Sequence, residues 1–212
     1  MIEDNYWMKE NSVFYIGEDA ITVIGASWTP AIGEEIISEI KKLSPKPIQF
    51  VVETHYHIDR AGGNAAFKKV GAKIISTVLT KKLMQANWEK SLKDCQKSWP
   101  GFPDVPLVLP DITFSDALIL EGGKIELLYL GPSHSQDAIV AYFPREKVLD
   151  ADCIVKEKLG NLASADLKEY PNTLAKMKKL SFLTLIAGHW SPIHGPELID
   201  RYLSLIAQST KP

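Results

Sequence analysis

The chain has no surplus of basic residues, no apolar run longer than a strand, and only two cysteines in 212 residues. Each shortage excludes something. With 24 Lys and Arg against 26 Asp and Glu, and a net charge of -2, nothing is left over to neutralise phosphates, so nucleic acid is not the expected partner. Apolar stretches of strand length do not span a bilayer, so no membrane segment is expected. Cys95 and Cys153 allow two readings: a disulfide, in an oxidising compartment, or a free Cys153 thiolate kept for chemistry. The opening Met1-Ile2-Glu3-Asp4 shows no signal peptide; it reads as a cytosolic start or as a mature domain behind an engineered methionine. What is present is ordinary for a globular protein: 45% apolar and 24% charged residues, in a length that fits one domain or two tightly fused halves.

Hydrophobic patterning gives an order of elements. Ser12 to Ile16 and Ile21 to Gly25 alternate around Gly17-Glu18-Asp19 as a hairpin. Thr29-Pro30 starts a helix whose stripe is Ile32, Ile36, Ile40 and Leu43, ending before Ser44-Pro45. A strand at Ile48 to Val52, a short helix at Asn64 to Val70, a strand at Lys73 to Thr77 and a longer helix from Leu79 to about Lys97 follow. The second half repeats the grammar. Strands are expected at Ala117 to Leu120, Lys124 to Leu130, Ala138 to Phe143, Lys147 to Leu149 and Leu183 to Ala187. Helices are expected near Pro171 to Lys179 and after Gly195-Pro196. Two similar halves, roughly 1–110 and 111–212, predict an α/β sandwich in a single 1–212 domain, two sheets packed face to face with helices on both outer faces.

The chemistry concentrates in His55-Tyr56-His57-Ile58-Asp59-Arg60, at the end of the strand carrying Val51 and Val52. An extended backbone past Thr54 would point residues 55, 57 and 59 to one side, because side chains alternate with period two. Two imidazoles and a carboxylate aimed at one point are half of a zinc site. Three more ligand-type residues stand just after expected strands: His134 in Gly131-Pro132-Ser133-His134, Cys153 in Asp152-Cys153-Ile154, and His189 in Ala187-Gly188-His189. Taken singly, a loop histidine is ordinarily a hydrogen-bonding residue and a lone cysteine a small buried side chain. Their joint occurrence points to metal. His194, before the last helix, reads as structural.

The sequence resembles the metallo-β-lactamases, and more narrowly their carbapenem-hydrolysing subclass B2. The likeness runs from Glu3-Asp4-Asn5-Tyr6 to the last helix. It is most specific at Tyr56-His57, at Asp59 to Asn64, at Pro106-Leu107-Val108-Leu109-Pro110, at Lys156 to Leu162 and at His194 to Asp200. The resemblance implies the αββα fold, a small-molecule β-lactam substrate, a monomer, and periplasmic export. It assigns Asp59, Cys153 and His189 to the single working zinc of the subclass, and His57 and His134 to a three-histidine position. His55 departs from the subclass, which has asparagine there, and completes a His55/His57/His134 set for a second zinc.

The resemblance also implies roles. His57, Asp59 and His134 form the catalytic group, with His57 or Asp59 as general base. Lys156 anchors the substrate carboxylate, Asn161 lies near the lactam carbonyl, and Trp28 shapes the floor; the plain alternatives are a solvated lysine, a Gly-Asn turn and a core tryptophan. Arg60 donates to Asp59 or a loop carbonyl. At about 5 Å and an effective dielectric of about 20, its charge costs roughly 3 kcal/mol per unit charge of a second cation before screening. One zinc at Asp59/Cys153/His189 is therefore expected to bind first, since thiolate and carboxylate neutralise it. Two zincs would shift the chemistry to a hydroxide between them and a broader spectrum. The short segment from Tyr6 to Val13 leaves no long flap, and the helix from Leu79 to Lys97 with Trp88 and Trp99 to Pro103 forms a wall suited to compact carbapenems. The competing readings are a thioester hydrolase of the same fold, in which a histidine usually follows the aspartate and no cysteine ligates, and a zinc-binding protein without turnover.

Overall fold

A computed structural model describes residues 9–209. Residues 6 to 8 of the expected short flap, and the start of the resemblance at Glu3, lie outside the described residues. The described chain forms two compact units, one of residues 12–115 and one joining residues 9–11 to 116–209.

The first unit is built on a five-stranded sheet, β1 (Val13–Ile16), β2 (Ile21–Ile24), β3 (Ile48–Val52), β4 (Lys73–Thr77) and β5 (Ile112–Phe114), in that spatial order. β1 and β2 are the expected hairpin, closed by Gly17 N–H donating to Ala20 O at 2.9 Å. The remaining pairs are parallel, which requires a crossover between each. Helix α1 (Pro30–Leu43) makes the first. Thr29 Oγ1 accepts from Ile32 N–H at 3.3 Å, Pro30 occupies the first turn, and Lys41 and Lys42 sit where the helix dipole favours cations. Its buried face differs from the expected stripe: Gly33, Ile37 and Ile40 are inside while Leu43 is 68% exposed. Gly33 sets that rotation, since a Cβ there would come within 3.1 Å of both Ala66 Cβ and Gly63 O. Helices α2 (Ile58–Ala61) and α3 (Asn64–Lys69) make the second crossover, and α4 (Val78–Ser98) the third. Ile21, Val23, Ile37, Ile40, Val51, Phe67 and Ile74 form the core, each large apolar side chain contributing about 1.5–3 kcal/mol on burial.

The second unit holds a six-stranded sheet of β6 (Ala117–Leu120), β7 (Ile125–Leu128), β8 (Val140–Phe143), β9 (Val148–Asp152), β10 (Thr184–Ala187) and β11 (Ile193–His194). All neighbours are antiparallel except β9 and β10, which run parallel with α5 (Tyr170–Met177) between them in sequence. Helix α6 (Leu198–Ser209) follows β11. Tyr170, Leu174, Met177, Leu185, Ile199 and Tyr202 are at the centre of its core. β5 and β11 have no counterpart among the expected strands. They are three and two residues long, too short to show alternation. β9 extends three residues past the expected Leu149, to Asp152.

Candidate metal centre

In the first unit the loops after β2 and β3 leave the C-terminal edge of a parallel strand pair, the edge at which parallel strands bind ligands. Backbone bonds tie them together: Gly25 N–H to Val52 O at 2.8 Å, Ala26 N–H to Arg60 O at 2.7 Å, and Gly63 N–H to Ser27 O at 2.9 Å. Gly62 and Gly63 make the approach feasible. A Cβ on either would fall inside the van der Waals shell of a carbonyl oxygen, that of Trp28 or of Ala26. Ser27, buried with φ of 73°, holds a left-handed turn that a side-chain-bearing residue seldom adopts.

This scaffold brings His55, His57 and Asp59 together, with one donor atom from each lying within 4.8 Å of the others. The route differs from the alternation expected. The strand stops at Val52, and Asp59 comes round on the first turn of α2. Asp59 and His55 are buried, and His57 is half-buried. His55 Nε2 lies 3.6 Å from Asp59 Oδ1, while its Nδ1 is 3.3 Å from Thr54 Oγ1. Its ring meets that of His57 edge-on at 4.7 Å. Arg60 is fully buried, with Nε 3.7 Å from Asp59 Oδ2, an ion-pair distance longer than a hydrogen bond. Trp28 packs edge-on against Trp99 at 6.1 Å and Phe102 at 6.3 Å. Cys95, on α4, is a free thiol pushed up to about 11 by burial, then by the charges of Asp59 and Asp94.

In the second unit the donors come from three separate loops. Cys153 and His189 follow β9 and β10, whose parallel register pairs Ala187 with Asp152, so the two residues leave adjacent strands side by side. Gly188 N–H donates to Asp152 O at 2.9 Å, and a Cβ at Gly188 would come within 2.6 Å of the Asp152 carbonyl carbon. Cys153 is buried and forms no disulfide, so the disulfide reading does not hold. His189 Nδ1 lies 3.0 Å from Lys9 O and donates to it, which leaves Nε2 as the nitrogen able to bind a metal. Asn11 fixes the same turn, its Nδ2 donating to Ala187 O at 2.7 Å and its backbone N–H to Gly188 O at 2.9 Å. His134 is buried with Nδ1 3.4 Å from Lys156 Nζ, and Lys156 is itself 3% exposed. Asn161 is exposed, and its Oδ1 accepts from Ala163 N–H at 2.8 Å, so the turn role holds for that oxygen. Glu157 joins this loop to the His189 turn: Ser191 hydroxyl and amide donate to Oε2 at 3.0 and 3.3 Å, holding the carboxyl below its ordinary range. His194 is structural as expected, its Nε2 2.8 Å from Ser191 O.

Lys9 to Asn11 support His189 from nearly the whole chain length away, which no local signal announces, while Gly62-Gly63, legible as a loop in the sequence, also lets the two loops approach. The donors present fit zinc. They are imidazole nitrogens, a carboxylate and a buried thiol, with an orienting carbonyl on one histidine and a guanidinium beside the carboxylate.

The chain belongs to the metallo-β-lactamase superfamily, whose family model matches residues 5–189. A metallo-β-lactamase type 2 from Bacillus cereus is 28% identical over 222 residues, covering 96% of this chain and 78% of that protein. Among solved structures, a metallo-β-lactamase from Pontibacter korlensis is 26% identical with a TM-score of 0.80, covering 93% of this chain and 87% of the other. FIM-1 from Pseudomonas aeruginosa, in its mono-zinc form, shares the fold at a TM-score of 0.80 and 21% identity, covering 96% and 85%. The two mixed sheets with their helices are the metallo-β-lactamase fold. Among the described residues, no helix is long and apolar enough to cross a membrane.

Proposed function

We propose that the protein is a zinc-dependent β-lactamase that opens the lactam amide of carbapenems. On this reading its two units act as one domain, with one working zinc held by Asp59, Cys153 and His189. The observation that carries the metal is the convergence of His55, His57 and Asp59 donors within 4.8 Å. The preference for the cysteine set rests on charge and softness: carboxylate and thiolate neutralise the dication, and the buried Arg60 guanidinium opposes a second one nearby. Bound there, the zinc supplies a Lewis acid for the negative charge that develops on the departing ring nitrogen.

The remaining work falls to side chains. His57, half-buried at the loop edge, takes the proton of the attacking water, with Asp59 as the other candidate base. Lys156 binds the substrate carboxylate through its ammonium, and His134 accepts from the same ammonium. The Asn161 side-chain nitrogen donates to the lactam carbonyl, its oxygen being engaged in the turn. Trp28, backed by Trp99 and Phe102, forms the floor, and Trp88 of α4 donates to Val105 O at 3.0 Å, which ties that helix to the segment after it as a wall that favours compact substrates. The same reading makes the protein a periplasmic monomer acting on a small molecule.

Imipenem hydrolysis measured against added zinc, with bound metal counted at each point, tests the assignment. Activity that peaks at one zinc per chain supports it. A specific observation favours a second reading: His55 is buried beside His57, which supports a second ion held by His55, His57 and His134 and a broader spectrum. Activity that appears only at two zincs would move the protein to that reading. Comparable turnover of ampicillin and imipenem would remove the carbapenem preference.

A further inference from the structure

Gly160 is not needed for its backbone. It is absent from the residues with positive φ, so any L-residue could adopt its conformation. What excludes a side chain is Lys156. A Cβ at position 160 would lie 2.6 Å from Lys156 Nζ, 2.7 Å from Cε and 3.4 Å from Cδ. The lysine therefore lies flat across the glycine α-carbon, and in that pose Lys156 as a residue is 3% exposed, with its ammonium 3.4 Å from His134 Nδ1. The loop carrying both residues is held at several points. Tyr170 hydroxyl donates to Ile154 O at 2.8 Å, Ser191 binds Glu157, and Asn161 closes its turn onto Ala163. With the backbone held, an added methyl displaces the flexible end of Lys156 while the chain path stays.

We propose that Gly160 is a positioning residue for substrate binding: its missing side chain lets Lys156 lay its ammonium beside His134, the place from which it takes the substrate carboxylate. This rests on the anchoring role given to Lys156 above. The ammonium is the recognising group, so the effect belongs to binding shared by ground and transition states, and it shows in KM with kcat kept.

The test compares Gly160→Ala, Lys156→Ala and the double variant, each loaded with zinc, by imipenem kinetics and by the rate at which an amine-acylating reagent labels Lys156, read from its peptide mass. Gly160→Ala is expected to raise KM about tenfold, keep kcat within about twofold, leave bound zinc unchanged, and label Lys156 faster. In the Lys156→Ala background it is expected to add nothing to KM, because both substitutions act through one ammonium. Unchanged labelling, or an equal KM rise with and without Lys156, would overturn the positioning role. If Lys156→Ala raises KM and Gly160→Ala does not, only the role of Gly160 falls. If Lys156→Ala itself leaves KM unchanged, the anchoring role falls and takes the inference with it.

Discussion

In the unit of residues 12–115, His55, His57 and Asp59 reach a common point from five consecutive residues, whereas in the other unit His134, Cys153 and His189 leave from three loops far apart in sequence. The first arrangement depends on one local device, the Gly62-Gly63 turn clamped onto the loop of Ala26 to Trp28. The second depends on strand order, on parallel β9 and β10, and on a remote strap from Lys9 to Asn11. A compact cluster is disturbed as a whole, while dispersed donors are disturbed one at a time.

Asp59→Ala strikes the compact cluster and, on the proposed reading, the working zinc together. Loss of several kcal/mol of charge stabilisation lowers kcat/KM at least about a thousandfold, with zinc lost as counted by elemental analysis. The Cys95 thiol of the same unit sharpens the contrast next. Burial, then Asp59 and Asp94, hold the Cys95 proton to about pH 11, so alkylation of Cys95 at pH 8 is expected to run about a hundredfold slower than for a thiol of ordinary acidity. Between its usual value near 9 and about 11 the folded chain keeps a proton that the unfolded chain has released, so stability falls as pH rises through that window.

Asn11→Ala touches a single dispersed donor. Removing its bond to Ala187 costs about 1 kcal/mol in urea melts and loosens the His189 turn, weakening zinc binding about tenfold while the His55 loop is unaffected. The smallest effect is expected from Glu157→Gln. Its carboxylate is held below the ordinary range by the Ser191 hydroxyl and amide. The clamp is therefore fully present above about pH 4.5 and lost as pH falls through the depressed value, and at neutral pH the variant should keep its zinc and nearly all its kcat.

The same contrast explains what could be read in advance. Thr29-Pro30, Gly17-Glu18-Asp19 and the helix of α4 announce themselves through local chemistry, and so does a cluster as dense as His55 to Asp59. The turn of α2 did not, because four residues cannot show helical periodicity, and alternation made an equally good local account of the same spacing. His189 stood out as a ligand type after a strand, but the carbonyl that orients it belongs to Lys9, and no local pattern encodes a partner 180 residues away. Gly160 read as half of a turn because its real constraint, the side chain of Lys156, exists only once the loop is folded.

The central claim is that the first metal ion sits on Cys153. Titrating the metal-free protein with cobalt(II) and following the thiolate-to-metal charge-transfer band in the near ultraviolet reports on that sulfur directly. The account predicts that the band reaches full strength with the first equivalent and is absent from Cys153→Ser. A first equivalent that binds without the band, which then grows only with the second, would contradict it.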